Sequence, residues 1–187
     1  KSTGFDLAED TMNGHGEMYA MTTSDMPTGT PVLYVPSELI LSSNKAMDEL
    51  RTRDMYDTEQ TIIANGGEEQ LPQFYLMLKL LLEIQKGRDS SWYPWLNSLP
   101  RYFSNAASMT DYCLLCLPPL MRKLSQEERE NQQLLCHDTL DQVPFLSESI
   151  KSSPNFVKWV YQIVYTRAVQ GDDLDYKLIP LADYFNH

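Results

Sequence analysis

The sequence has few cysteines: three among 187 residues, at positions 113, 116 and 136. An odd number with no second matched pair argues against a disulfide framework and favours a reducing intracellular compartment, such as the cytoplasm, a plastid or the nucleus. The three cysteines and His137 could be read as a zinc site, but two ligands adjacent in sequence fit poorly around one tetrahedral ion. We therefore predict no metal site and expect the cysteines to act as small apolar residues on helices.

Basic residues are also scarce, with 15 Lys and Arg against 26 Asp and Glu and a net charge of −11. A general nucleic-acid-binding protein needs a basic surface that displaces counterions, so this composition argues against one. A basic protein substrate or partner suits the negative charge better.

Long apolar runs are missing as well. The longest candidate, residues 71–86, is interrupted by Lys79 and Glu83 and falls short of the ~20 residues that cross a membrane, so the sequence predicts no membrane span. Hydrophobic residues still make up 42% of the chain and aromatic residues 11%, which indicates a folded protein. The length favours one compact unit, since domains usually have ~100–200 residues.

Strand patterns occur at both ends of the sequence, and helical patterns occur between them. Residues 17–23 and 30–36 are rich in Tyr, Val and Thr around a Pro/Gly turn, and residues 176–181 form a short apolar run. The apolar period between about 45 and 170 is helical. We predict an α+β fold in which a helical insert interrupts a β domain: a β segment at 1–44, the insert at 45–170 and the start of a second β segment at 171–187.

Two of the predicted helices carry capping signals. Ser125 followed by Glu128 has the spacing of a capping box, which predicts a helix start at Ser125. Ser153 before Pro154 predicts another start, and Gly171 predicts the end of that helix. The indoles of Trp92 and Trp95 with Leu99 would be costly in an exposed loop, so we expect these three side chains to pack between the insert and the β segment.

Arg167 does not suit its neighbours on the last predicted helix. It follows Ile163 and Val164 by four and three positions, so it lies on their apolar face. One interpretation is a structural arginine paired with an acid, for which Asp183 is the candidate. The other is a clamp that binds a ligand carboxylate with the planar guanidinium. The sequence leaves both open.

Two short polar segments are further candidates. Gly14-His15-Gly16 permits close backbone approach to a ligand, although a plain turn also explains it. Asp183, Asn186 and His187 follow the last apolar run, and polar groups placed directly behind a core strand need partners. Asp183 and His187 have the i, i+4 spacing of a metal pair, but with no further ligands a local polar network is favoured.

Four segments together resemble one family. Residues 14–36, GHGEMYAMTTSDMPTGTPVLYVP, resemble the opening of SET-domain lysine methyltransferases. Residues 87–100, GRDSSWYPWLNSLP, resemble the landmarks of the Rubisco-methyltransferase-like branch, in which a long helical insert splits the SET domain. Residues 165–169, YTRAV, and 178–187, LIPLADYFNH, resemble its Arg-containing helix and its Asn-His signature. The order and spacing of the four segments agree with the pattern of this family across nearly the whole chain.

This resemblance implies a protein-lysine N-methyltransferase that depends on S-adenosylmethionine. The Asn-His segment would form half of the cofactor site, with the guanidinium of Arg167 placed for the cofactor carboxylate. The implied cofactor-binding residues are Asn13, His15, Gly16, Thr166, Arg167, Asp183, Asn186 and His187. The chain departs from the usual pattern at His15, where Leu or Arg is common, and at Val169, where an aromatic is usual.

The resemblance assigns no catalytic residue to this chain. The family places a tyrosine hydroxyl at the lysine channel from a segment that follows Asn-His, so the implied tyrosine would lie beyond His187. Tyr176 and Tyr184 lie before or inside the signature and match no catalytic tyrosine. The alternative is a non-catalytic SET-like interaction module, or a subunit docked in a larger assembly through its acidic helical insert.

Overall fold

A computed structural model describes residues 4–10, 17–171 and 173–185. Helices form most of the chain between 43 and 167, and two small antiparallel sheets form from segments before and after them. The fold is therefore α+β, as the sequence predicts. The domain boundaries at 44/45 and 170/171 stay predictions.

The first sheet is a two-stranded hairpin of β1 (Phe5–Asp10) and β2 (Glu17–Thr22), in which Phe5 lies opposite Thr22. Strand β2 confirms the strand predicted near 17–23, whereas β1 was missed. The ring of Phe5 contacts the ring of Phe185 edge-on, with 4.8 Å between centroids. This contact brings the hairpin against the C-terminal segment.

The second sheet joins residues more than 120 positions apart. Its central strand, β5 (Tyr176–Leu178), pairs antiparallel with β3 (Leu41–Ser42) on one side and β4 (Val169–Gln170) on the other. The predicted strand at 176–181 ends early, because Leu181 has φ 69°, which extended backbone excludes. The chain turns instead into a short 3-10 helix, Ala182–Tyr184.

A buried carboxylate holds β3, β5 and the first helix together. Asp175 accepts hydrogen bonds from the hydroxyls of Ser42 at 2.8 Å and Ser43 at 2.9 Å, and from the N–H of Asn44 at 3.0 Å. The hydroxyl oxygen of Ser42 also accepts the N–H of Lys45, which caps the helix. Donors from one end of the insert therefore converge on an acid at the other end.

The insert packs around one central apolar helix, α3. The helices are, in chain order, α1 (Ser43–Leu50), α2 (Tyr56–Ala64), α3 (Leu71–Lys86), α4 (Tyr93–Ser98), α5 (Asp111–Leu115), α6 (Pro119–Gln133), α7 (Glu148–Lys151) and α8 (Pro154–Arg167). Helix α3 contacts both α1 and α8. Its buried acid Glu83 accepts hydrogen bonds from Lys86 Nζ at 2.6 Å and Ser90 Oγ at 2.9 Å, so the charge that interrupts the apolar run is paired.

The strand predicted at 30–36 does not form. Of these residues only Leu33 makes an isolated β bridge. Pro31 and Pro36 lack the N–H that a ladder needs, which explains why a Val- and Tyr-rich segment stays irregular.

The prediction that a helix starts at Ser125, with Glu128 completing a capping box, is also wrong. Helix α6 begins at Pro119, because proline is well suited to a first helical position and its missing N–H has no intrahelical partner there. Ser125 and Glu128 are buried inside α6, on the side that packs against the turn at 106–108.

Helix α8 ends earlier than the sequence predicts. It begins at Pro154 as expected, but Ser153 donates its hydroxyl to Ser149 O instead of capping the helix. The helix stops at Arg167 because the next residues enter β4. Gly171 belongs to the turn after β4, where its N–H donates to Asp175 O at 2.9 Å.

The predicted packing of Trp92, Trp95 and Leu99 is confirmed. Trp95 and Leu99 are buried and Trp92 is half-buried against the core. Trp92 Nε1 donates to Leu39 O at 2.8 Å, and Trp95 Nε1 donates to Asp183 Oδ1 at 3.3 Å. The two indoles thus contact chain segments on both sides of the insert. In the part of the chain that the structure describes, no helix combines the length and apolar character that a membrane crossing needs.

We predict that Asp175→Asn lowers the free energy of unfolding by about 1.5–3 kcal/mol, because a carboxylate that accepts several hydrogen bonds becomes an amide facing donors. Urea titration at pH 7 measures the loss. Asp48→Asn, at an exposed position of α1, is the matched control and should stay within about 0.5 kcal/mol of the parent.

Asp175→Asn should lower the free energy of unfolding less at low pH than at pH 7. Burial raises the pKa of Asp175, but hydrogen bonds from Asn44 N–H, the two serine hydroxyls and Lys177 outweigh burial and hold it below its ordinary value of 3.8. A lowered pKa stabilises the fold fully above pH 3.8, and this contribution disappears as the pH falls through the folded-state value. A difference between the two proteins that is unchanged from pH 7 to pH 3 would contradict this account.

Candidate functional site

A cavity of about 350 Å³ lies where α8 ends and the chain returns to β structure. This volume is within the usual range of small-molecule sites, ~300–1,000 Å³. The residues that line it are Phe103, Thr166, Arg167, Ala168, Val169, Ile179, Ala182, Asp183 and Phe185.

Arg167 and Asp183 form a buried ion pair in the wall of the cavity. Arg167 Nη1 lies 2.8 Å from Asp183 Oδ2 and also donates to the backbone oxygen of Asp183 at 3.0 Å. The arginine side chain is 19% exposed and the aspartate side chain 2%. The structural pairing that the sequence left open is present. Arg167 Nε is buried without a hydrogen-bond partner among the described residues, so the pair does not satisfy the whole guanidinium.

The second oxygen of Asp183 is held by the insert. Trp95 Nε1 donates to Asp183 Oδ1 at 3.3 Å, so the two carboxylate oxygens bind donors from α4 and α8. Burial raises the pKa of Asp183, against the opposing effects of the Arg167 guanidinium and the Trp95 N–H. The sequence predicted Trp95 as a packing residue and missed this contact, although a buried indole N–H needs an acceptor.

Apolar side chains form the other walls. Phe103 comes from the insert and Phe185 from the C-terminal segment, and Phe185 is backed by Phe5 of β1. Thr166 donates its hydroxyl to Gln162 O at 2.7 Å, which leaves its oxygen able to accept. No local pattern in the sequence indicates Phe103 as a cavity residue, because its place in the wall depends on where the insert folds back.

The structure brings three of the predicted site residues to the same cavity: Thr166, Arg167 and Asp183. The other five lie outside the described residues, and they are Asn13, His15, Gly16, Asn186 and His187. Their part in the site stays a prediction.

The cysteines differ from one another in exposure. Cys136 is buried, which fits the prediction of a small apolar residue, whereas Cys113 and Cys116 are exposed, which does not. Among residues 4–10, 17–171 and 173–185, no group of three His, Cys, Asp or Glu side chains is arranged to hold a metal ion.

We predict that Arg167→Ala lowers the free energy of unfolding by about 3–5 kcal/mol at pH 7, because it leaves the Asp183 carboxylate buried without its cation. Asp183→Ala should also destabilise the protein, and the double variant should lose less than the sum of the two single losses. Chemical denaturation of all four proteins measures this coupling, and additive losses would show that the pair contributes no interaction energy.

Lowering the pH should partly restore the free energy of unfolding that Arg167→Ala loses. Removing the guanidinium leaves burial to raise the pKa of Asp183 further. A carboxyl group with a raised folded-state pKa stabilises the fold at low pH, and that contribution is lost as the pH rises through the folded-state value. The deficit of Arg167→Ala relative to the parent should therefore shrink from pH 7 to pH 4.5, and a deficit that grows on acidification would refute the assignment.

Comparisons with known proteins point to one fold. The amino-acid sequence matches no protein-family model, and comparison with curated proteins gives no significant match. The structure is similar to that of the SET domain of LSMT bound to lysine and AdoHcy, with a TM-score of 0.72 and 17% identity. It is also similar to Rubisco LSMT bound to AdoMet, with a TM-score of 0.70 and 19% identity. Each comparison covers 99% of this chain and 40% of the other, so the chain spans less than half the length of these proteins. The chain therefore has a SET-domain-like fold.

Proposed function

We propose that the protein is an S-adenosylmethionine-dependent protein-lysine N-methyltransferase, and that this chain forms the N-terminal portion of its SET domain with the helical insert. The observation that carries the proposal is the cavity at the end of α8, where Thr166, Arg167 and Asp183 meet in a SET-like fold. Structural neighbours with this fold hold AdoMet, or AdoHcy together with lysine.

The residues present suit the chemical groups of S-adenosylmethionine. A partly buried guanidinium matches its carboxylate, since arginine binds carboxylates as a planar fork. The carbonyl groups after α8 suit its ammonium, and the apolar faces of Phe103 and Phe185 suit its adenine. The buried Arg167 Nε, which has no described protein acceptor, supports a further acceptor at this end of the cavity.

The chain's own residues would bind and orient the cofactor. Trp95 and Arg167 fix the two oxygens of Asp183, which in turn fixes the plane of the guanidinium. Phe103 and Phe185 would exclude water from the cavity, which strengthens the electrostatic contacts inside. When bound, S-adenosylmethionine supplies the methyl group. Lysine methylation also needs a neutral, aligned amine, and we propose that the group orienting it follows His187.

The net charge and the cysteines support proposals about the partners and the compartment of the protein. We propose a basic protein substrate, because the net charge of −11 would attract one. We propose no nucleic-acid partner for the same reason. The three cysteines are free, which supports an intracellular, reducing compartment.

We predict that Arg167→Ala weakens the binding of S-adenosylmethionine by ten- to a hundredfold, or about 1.5–3 kcal/mol, the worth of a hydrogen bond to a charged group. Isothermal titration calorimetry on the complete protein measures the change, below the temperature at which the variant begins to unfold. Arg88→Ala removes an exposed positive charge on the insert and should leave the affinity unchanged. A lower melting temperature with unchanged affinity would make Arg167 a purely structural partner of Asp183.

The complete protein should transfer methyl groups to lysine. We expect incubation with S-adenosylmethionine and a basic, lysine-rich protein to yield methyllysine, detected by mass spectrometry, together with S-adenosylhomocysteine. Residues 1–187 alone should bind the cofactor much more weakly, because the neighbours are longer than this chain by a factor of about two and a half. Tight binding by residues 1–187 would show that the cofactor pocket needs no further segment.

A non-catalytic interaction module is the second candidate. The observation that favours it is a row of exposed apolar side chains on α6: Leu120, Met121 and Leu124 are at least half exposed. Cofactor binding separates the candidates. If the complete protein does not bind S-adenosylmethionine at millimolar concentration, the enzyme proposal fails and the module remains.

A further inference from the structure

Two exposed thiols lie three residues apart on the insert. Cys113 is in α5 and Cys116 is the residue that ends this helix, and both are free and exposed. Neither cysteine lines the cavity at the end of α8. A Cys-x-x-Cys pair of accessible thiols is the arrangement in which a disulfide can open and close reversibly.

The last turn of α5 favours the approach of the two side chains. The N–H of Cys116 donates to both Tyr112 O and Cys113 O at 3.2 Å, and the N–H of Leu117 donates to Leu114 O at 3.1 Å. Hydrogen bonds from residue i+3 to residue i are those of a 3-10 turn, in which side chains three apart eclipse each other. A helical side chain generally extends over the turn before it, so we expect the side chain of Cys116 to lie over the turn that contains Cys113.

The sulfur of Cys113 is held in place by the residue that caps α5. Thr110 Oγ1 accepts the N–H of Cys113 at 3.2 Å, and its hydroxyl lies 3.2 Å from Cys113 Sγ, to which it donates. These contacts hold the exposed thiol toward the start of α5, so closure requires Cys113 Sγ to leave Thr110 and rotate toward Cys116. A disulfide needs Cβ atoms about 3.5–4.5 Å apart, against roughly 5–6 Å in a regular helix, so closure tightens a turn that is already partly 3-10.

Cys136 differs from the two exposed cysteines in burial and in the reactivity of its thiol. Cys136 is buried, and burial raises the pKa of its thiol to about 12, against opposing effects of Gln132 and Lys158. Because the thiolate is the nucleophile in disulfide exchange, this thiol is unreactive.

We propose that Cys113 and Cys116 form a dithiol site that reacts with small-molecule disulfides of the glutathione class and closes to an intrahelical disulfide. One thiolate attacks a sulfur of glutathione disulfide, which forms a mixed disulfide and releases one glutathione thiolate. The second thiolate attacks the protein sulfur of the mixed disulfide and releases the second glutathione. Two protein thiols are oxidised and one glutathione disulfide is reduced to two thiols, because the protons of the two protein thiols pass to the two released glutathione thiolates. Excess glutathione reverses both steps.

Peptide mapping tests the proposal without any variant. The folded protein is incubated with glutathione disulfide, quenched in acid, unfolded and alkylated, and then cleaved with trypsin. Cleavage after Arg101 and Arg122 gives a peptide with Cys113 and Cys116 but without Cys136. We expect this peptide to carry a disulfide between its two cysteines, with neither glutathione nor alkyl groups, and Cys136 to be alkylated.

Three single variants sharpen the result. Cys113→Ser and Cys116→Ser should each retain glutathione on the remaining thiol, because the second exchange cannot occur. Cys136→Ser is the matched control and should close the disulfide like the parent. Glutathione retained on the parent peptide, alkylation of both cysteines, or a disulfide between two molecules would each overturn the proposal.

Discussion

The fold depends on one buried carboxylate. Asp175 lies at the start of β5 and accepts hydrogen bonds from Ser42, Ser43 and Asn44, which form the end of β3 and the first turn of α1. These residues are more than 130 positions apart, so the contact closes the long insert into a loop whose two ends meet. The ordering cost of such a loop grows slowly with length, and charge-assisted hydrogen bonds can offset it. The closure places β3 and the first turn of α1 beside β5, which pairs on its other side with β4 at the end of α8.

A second buried carboxylate, Asp183, joins the helical insert to the candidate site. Asp183 binds Arg167 through one oxygen and Trp95 through the other, so α8, α4 and the C-terminal segment share one buried polar group. Such a pair adds little net stability, because burial of both charges offsets their attraction. Its consequence is geometric: the guanidinium has one orientation, at the edge of a cavity with aromatic walls. The insert is therefore part of the candidate site as well as a packing element.

The sequence predicted elements best where local signals were strong. The period of residues 71–86 identified α3, and Pro154 identified the start of α8. The errors arose where a long-range contact competed with a local signal. Val169 and Gln170 left α8 because β5 offered ladder partners, and the capping box at Ser125 failed because Pro119 had already started the helix. The segment at 30–36 has strand-forming residues, yet its prolines left it with too few donors.

By itself the sequence determined the α+β class, the helical insert and three residues of the cavity, through local periodicity and the resemblance of four spaced segments. Tertiary structure alone decided that Arg167 does pair with Asp183, that Trp95 contacts Asp183 and Phe103 lines the cavity, and that two of three cysteines are exposed. The physical reason is the range of the interactions. Helix period and proline chemistry act within a few residues, whereas burial and ion pairing depend on which distant segments meet.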